Sequence, residues 1–79
     1  MNIQELITID SDILGGQPVL KGTRVPVESL FDHLKAGVSM DEFLDDFPTV
    51  SREQAVSLLG IANKLLTSKK VAELYITVA

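Results

Sequence analysis

No cysteine occurs in the 79 residues, so neither a disulfide nor a thiolate-held metal can staple the fold. Aromatic residues make up only 5%, so aliphatic side chains must fill the core. The single histidine, His33, falls beside the apolar stripe of its segment and reads as a surface residue rather than a catalyst. No serine has a base and an orienting acid to complete a triad, so an enzyme is not expected, and no cofactor or metal is expected either. Basic residues are outnumbered, 7 against 11 acidic, for a net charge of −4. A protein whose main ligand is a phosphate backbone is usually basic. The balance therefore argues against nucleic acid as the sole partner and suits a partner with a basic surface. No apolar run reaches membrane-spanning length, and the N-terminus lacks a basic segment followed by an apolar one. The chain reads as cytoplasmic, with no membrane partner. Repeats, linkers and low-complexity tracts are also missing, so residues 1–79 are taken as one domain.

A domain this small buries only about 60% of its unfolded surface and is marginal alone. A homodimer, or a bound partner, is the expected remedy. The hydrophobic share of 46% is ample for a core.

The densest signal is Gly15-Gly16-Gln17-Pro18-Val19-Leu20-Lys21-Gly22-Thr23-Arg24-Val25-Pro26-Val27. Pro18 and Pro26 remove two amide donors, so neither belongs in a central ladder. Val19-Leu20 and Arg24-Val25 flank a three-residue loop with a central glycine, which predicts a small hairpin. Ahead of it, Leu6 to Ile9 is short and β-branched and predicts a strand, followed by an Asp10-Ser11-Asp12 turn.

Three helices follow. Val27, Leu30, Phe31 and Leu34 stand at i, i+3, i+4 and i+7, predicting a helix over 27–36 closed by Gly37. Ser39 with Glu42, and Ser51 with Gln54, have capping-box spacing and open helices over 40–47 and 52–67. Met40, Phe43, Leu44 and Phe47 stripe the second. Ala55, Leu58, Leu59, Ala62, Leu65 and Leu66 predict a continuous buried face on the third. Residues 71–79 are β-prone, with Leu74-Tyr75-Ile76-Thr77-Val78 expected as a strand.

Ile7-Thr8-Ile9-Asp10, Gly15-Gly16-x-Pro18 and Gly22-Thr23-Arg24-Val25-Pro26-Val27 together resemble the domain-of-unknown-function family four-three-three. Ala36-Gly37-Val38-Ser39 and the acidic helix closed by Phe47-Pro48 fit it too. The resemblance covers about residues 5 to 62. It implies a small helical, DNA-binding-like fold with an N-terminal β element. Some members are similar to antitoxins encoded beside a PIN-like ribonuclease toxin that they neutralise; many have no assigned role. Ser11 stands where a proline is expected.

The fold class expected is therefore mainly α: a three-helix helix-turn-helix domain, winged-helix or homeodomain-like, with a short N-terminal β element. Ala36-Gly37-Val38-Ser39…Phe43…Phe47-x-x-Val50-Ser51-Arg52 also resembles the DNA-binding end of resolvases. In that geometry the third helix enters the major groove by its first turn. Arg52 is a candidate for phosphate or guanine, Ser57 and Asn63 for base edges or backbone, and Lys64 for phosphate. Lys21 and Arg24 are candidates for a basic wing, although Arg24 also suits a bidentate pair with Asp10 or Asp12, and that structural pair is preferred. Against DNA stands the second helix, whose Asp41, Glu42, Asp45 and Asp46 have no basic residue among them and would face the phosphates. Leu74, Tyr75 and Ile76 are the candidate contacts to a PIN-like toxin. The competing readings are a DNA-binding regulator without a toxin and a dimeric interaction module with neither.

Overall fold

A computed structural model describes the backbone of residues 2–78 and the side chains of residues 2–76. Among these residues the chain is mainly helical, with one two-stranded antiparallel sheet near the N-terminus. The order is α1 (Ile3–Leu6), β1 (Ile7–Thr8), a 3₁₀ turn (Leu14–Gly16), β2 (Val19–Leu20), α2 (Val27–Lys35), α3 (Met40–Asp46), α4 (Arg52–Leu66) and α5 (Lys69–Val78).

The N-terminal strand is shorter than the sequence predicts, because Leu6 ends a helical turn instead of starting a strand. Asn2 caps that turn by accepting from the Glu5 amide at 3.1 Å. β1 then pairs with β2 in the register Ile7 to Leu20 and Thr8 to Val19. The loop predicted as a hairpin does turn the chain back: the Leu20 amide donates to Val25 at 2.9 Å and the Val27 amide to Pro18 at 3.0 Å. Arg24-Val25 adds no second strand of its own, and only an isolated bridge joins Val19 to Pro26. The Thr23 hydroxyl fixes the loop, donating to the Leu20 carbonyl at 2.7 Å and accepting from the Val25 amide at 3.0 Å.

The middle helices start and stop within a residue of their expected limits, and the C-terminal end of α2 and the N-terminal ends of α3 and α4 carry caps. Gly37, at φ 86°, closes α2: its amide donates to Leu34 at 3.1 Å and the Val38 amide to His33 at 2.9 Å, satisfying two terminal carbonyls. Ser39 and Ser51 each accept from the amide three residues on at 3.1 Å. The reciprocal half of both capping boxes is missing among the described residues. The Gln54 side chain instead spans to the Leu6 carbonyl at 3.3 Å and the Lys21 carbonyl at 3.0 Å. It ties α1, the end of β2 and α4 together.

The core gathers one or two residues from each of these elements: Leu6, Leu20, Val25, Leu30, Phe43, Val50, Ala55 and Leu58. Phe43 is fully buried, with its ring 4.8 Å from that of Phe47. His33 is half-buried rather than a surface residue. Its ring stands edge-on to Phe43 at 5.2 Å and to Phe47 at 5.3 Å. Its Nδ1 lies 2.6 Å from the Ser29 carbonyl, which can only accept, so the proton sits on Nδ1.

Two expectations fail at the C-terminal end. The buried face of α4 runs out after Ile61 and Ala62, leaving Leu65 and Leu66 61% and 69% exposed. The segment expected as a strand is helical through Val78. Ser68 caps it, accepting from the Val71 amide with its hydroxyl at 3.4 Å and with its carbonyl at 3.1 Å. Strand propensity yields because a strand needs a neighbour for its ladder, whereas a helix satisfies its amides internally. Ala79, the last position of that segment, lies outside the described residues.

Candidate functional site

α4 organises both candidate surfaces. Its 15 residues make a rod of about 22 Å. Of the candidate cations Arg52 opens it and Lys64 lies in its last turn, and the candidate partner contacts lie beyond that turn.

At the first turn, Lys21 is drawn in by the Gln54 bond to its carbonyl, and its ammonium donates to the Gln4 carbonyl at 3.2 Å. It braces α1 as much as it offers charge to solvent. Arg24 is exposed on the rim of an open depression of about 580 Å³, which it shares with Thr8, Ile13, Gly22, Thr23, Val25 and Thr49. The preferred pair of Arg24 with Asp10 or Asp12 is not formed. Asp10 instead accepts from the Asp12 amide at 2.9 Å, closing a local turn. Among the described residues the one ion pair is Arg52 with Asp41, which links α4 to α3. Both partners are largely exposed, so the pair adds about 0–1 kcal/mol; its effect is on where the guanidinium points.

Farther along, Asn63 and Lys64 share the outward face of α4 with Arg52, by helical spacing. Ser57 sits at the edge of that face and is half-buried. The acidic side chains Asp41, Glu42, Asp45 and Asp46 are all exposed on α3. The structure thus ties the Lys21 carbonyl to α4 through Gln54, sets Arg24 in a depression with Thr49, pairs Arg52 with Asp41 of the acidic α3, and leaves Asn63 and Lys64 up to three turns farther along.

Beyond the last turn of α4 the surface is apolar. Leu74 is 53% exposed, and Tyr75 and Ile76 are each 74% exposed. Leu65 and Leu66, at the end of α4, are also exposed. The sequence carries the helical signal alongside its β-branched composition: Val71, Leu74, Tyr75 and Val78 stand at i, i+3, i+4 and i+7. A second apolar depression, of about 370 Å³, lies at the opposite end of the chain between Ile3, Gln4, Ile7, Ile9 and Pro18. Sequence reasoning missed it because α1 was not foreseen.

Among the described residues no group of three acidic, histidine or cysteine side chains is placed to hold a metal ion. No helix there is long and apolar enough to cross a membrane.

The family model described as "Protein of unknown function (DUF433)" matches residues 7–60. The chain is also similar to the uncharacterized protein y4eO of Sinorhizobium fredii (strain NBRC 101917 / NGR234). It is 37% identical to that protein over 70 residues, which are 86% of this chain and 32% of the relative. The chain therefore spans about a third of the length of the curated relative it matches. No solved structure matches it.

Proposed function

This chain belongs to the family described as Protein of unknown function (DUF433), and we propose that it is a small antitoxin-like binding protein that neutralises a PIN-like ribonuclease toxin. One observation carries the reading: a capped, well-filled core ends in a helix whose leucine, tyrosine and isoleucine side chains are left open to solvent. Contiguous exposed apolar surface marks a place where another molecule sits. Helical geometry favours docking into a groove over addition of a strand. Tyr75 is the anchor, because a tyrosine brings large contact area at small entropic cost. The net charge of −4 and the exposed carboxylates of α3 suit a nuclease that carries a basic RNA-binding surface. Neutralisation is by occlusion: the docked chain covers the toxin's RNA groove or metal site.

The experiment is co-expression with the nuclease encoded by the neighbouring reading frame. The full chain relieves growth arrest, and the chain lacking residues 71–79 does not, while keeping the circular dichroism of a folded core. Protection that survives the truncation would overturn the docking site.

Operator binding is the second reading, supported by Arg52 in the first turn of α4 and by the exposed Lys21 and Arg24. α3 and α4 would then act as a helix-turn-helix, in a two-fold dimer reaching half-sites about 34–36 Å apart. The Arg52–Asp41 pair and the acidic α3 oppose it in the free chain. A basic toxin would offset that charge, so the complex would bind its own promoter better than the free protein. In a low-salt gel shift, Arg52→Ala weakens the complex, whereas Asp41→Asn and the double change Asp45→Asn, Asp46→Asn strengthen it. A shift that ignores all of these would rule out α4 as the reading helix.

A further inference from the structure

We propose that α5 pairs antiparallel with α5 of a second copy of this chain, centred on Leu74 and Tyr75, so that the free protein is a dimer through its C-terminal helix. The inference uses the same exposed surface as the toxin reading, but its test needs no nuclease, so either can fail without the other. Three observations carry it.

The first is the state of the helix. α5 has ten residues, and isolated helices shorter than about 12–15 residues are marginal in water. Its own chain gives it little cover, as the exposure of Leu74, Tyr75 and Ile76 shows. A helix in that state persists by burying its apolar side against something else.

The second is area. Leu65, Leu66, Leu74, Tyr75 and Ile76 together leave on the order of 600 Å² uncovered per chain. Ile76, about 100° further round the helix than Tyr75, faces away from a contact centred on Leu74 and Tyr75, so the two-fold contact buries at most about 1,000 Å², the size of a weak, concentration-dependent interface. A self-complementary patch of this kind is what a two-fold axis requires.

The third is charge, and it sets the direction. α5 carries Lys69 and Lys70 in its first turn, with no acidic residue there and no basic residue in its last turn. Both cations therefore sit at the positive end of their own helix dipole. An antiparallel neighbour brings its C-terminal carbonyls to those lysines, and the same exchange happens at the other end. A parallel neighbour would set four lysines together instead. A partner that docks on the same stripe competes with the second copy.

The test uses the purified full chain alone, with no nuclease present. Sedimentation from about 1 to 200 µM should show mass action toward twice the 8.6 kDa chain mass. Tyr75→Asp should weaken association at least about tenfold. Replacing Lys69 and Lys70 by Glu improves the match to the helix's own dipole, yet should weaken the dimer several-fold by removing the cross-helix contact. The absence of cysteine makes single introduced thiols unambiguous. Leu74→Cys should form an intermolecular disulfide under mild oxidation. Val71→Cys should not, because antiparallel pairing holds the two positions about 10 Å apart along the axis, beyond the roughly 7 Å that a disulfide can span. A monomer at every concentration overturns the proposal. So does a dimer indifferent to Tyr75→Asp, a dimer strengthened by the lysine-to-glutamate change, or one in which Val71→Cys links as readily as Leu74→Cys.

Discussion

The stretch from Leu6 to Leu58 and the stretch from Leu65 to Ile76 are built from similar aliphatic side chains, and the fold treats them oppositely. In the first, Leu6, Leu20, Leu30, Phe43 and Leu58 come from five different elements and are all buried. In the second, five large apolar residues from two consecutive helices stay more than half exposed. Amphipathic spacing is present in both. The difference is convergence: a stripe is buried only where elements distant in sequence arrive to cover it. Gln54 shows how that convergence is secured, since one amide group bonds carbonyls 48 and 33 residues away. Nothing comparable reaches across to α5 among the described residues. The family match also stops at residue 60, close to where burial stops.

The largest way to break this contrast is to remove its centre. Phe43 is fully buried and stacks with His33 and Phe47. Phe43→Ala should cost about 3–5 kcal/mol, most of the stability that a chain of this size can have. Thermal denaturation followed by circular dichroism should show a broad transition near or below room temperature. A loss below about 1 kcal/mol would mean that the core does not depend on the aromatic trio.

The next change asks what Gln54 does. If its side chain completes a capping box, Gln54→Glu is neutral or favourable, since Glu serves that position well. If it is the strap seen here, Glu keeps the shape and the backbone cap but cannot donate to the Leu6 and Lys21 carbonyls. We expect a loss of about 1–2 kcal/mol for the two bonds, read as a lower urea midpoint at unchanged slope.

These positions also mark what a sequence can and cannot disclose. The limits of α2, α3 and most of α4 were legible because caps are local: Gly37, Ser39 and Ser51 act on atoms within five residues. The strap was not legible, because a glutamine three residues past a serine looks the same whether it turns back or reaches away. The Arg24 pair failed for a related reason: the local Asp10 turn competes for the carboxylate, and a residue's charge does not say which partner will take it. The strand expected at Leu74–Val78 is a helix because composition alone does not separate the two: the same stretch, with Val71, also carries i, i+3, i+4, i+7 spacing. Leu74, Tyr75 and Ile76, expected as contacts to a partner, are exposed on a helix rather than on a strand.

A smaller effect, of favourable sign, is expected at Ser11. The Ile13 amide donates to the Asp10 carbonyl at 2.9 Å, which makes Ser11 the second residue of a turn, a position that suits proline. Ser11→Pro should stabilise the fold by about 0.4–1 kcal/mol by restricting the unfolded chain, measurable as a small rise in midpoint.

The smallest signal separates the two regions most directly. Tyr75 is the only tyrosine and there is no tryptophan, so intrinsic fluorescence reports α5 and nothing else. Backbone circular dichroism reports the whole chain, dominated by the helices of the core. In a two-state protein the two probes report one transition. Here α5 should open at lower urea than the core, because local stability follows buried apolar contact and α5 has little within its own chain. The separation should be widest in dilute solution. It should narrow as concentration rises, since whatever covers Tyr75 then couples α5 to the rest. Addition of a partner that docks on α5 should narrow it likewise. Coincident curves at every concentration would join α5 to the core as one cooperative unit, and the contrast between the two halves of this chain would lose its energetic meaning.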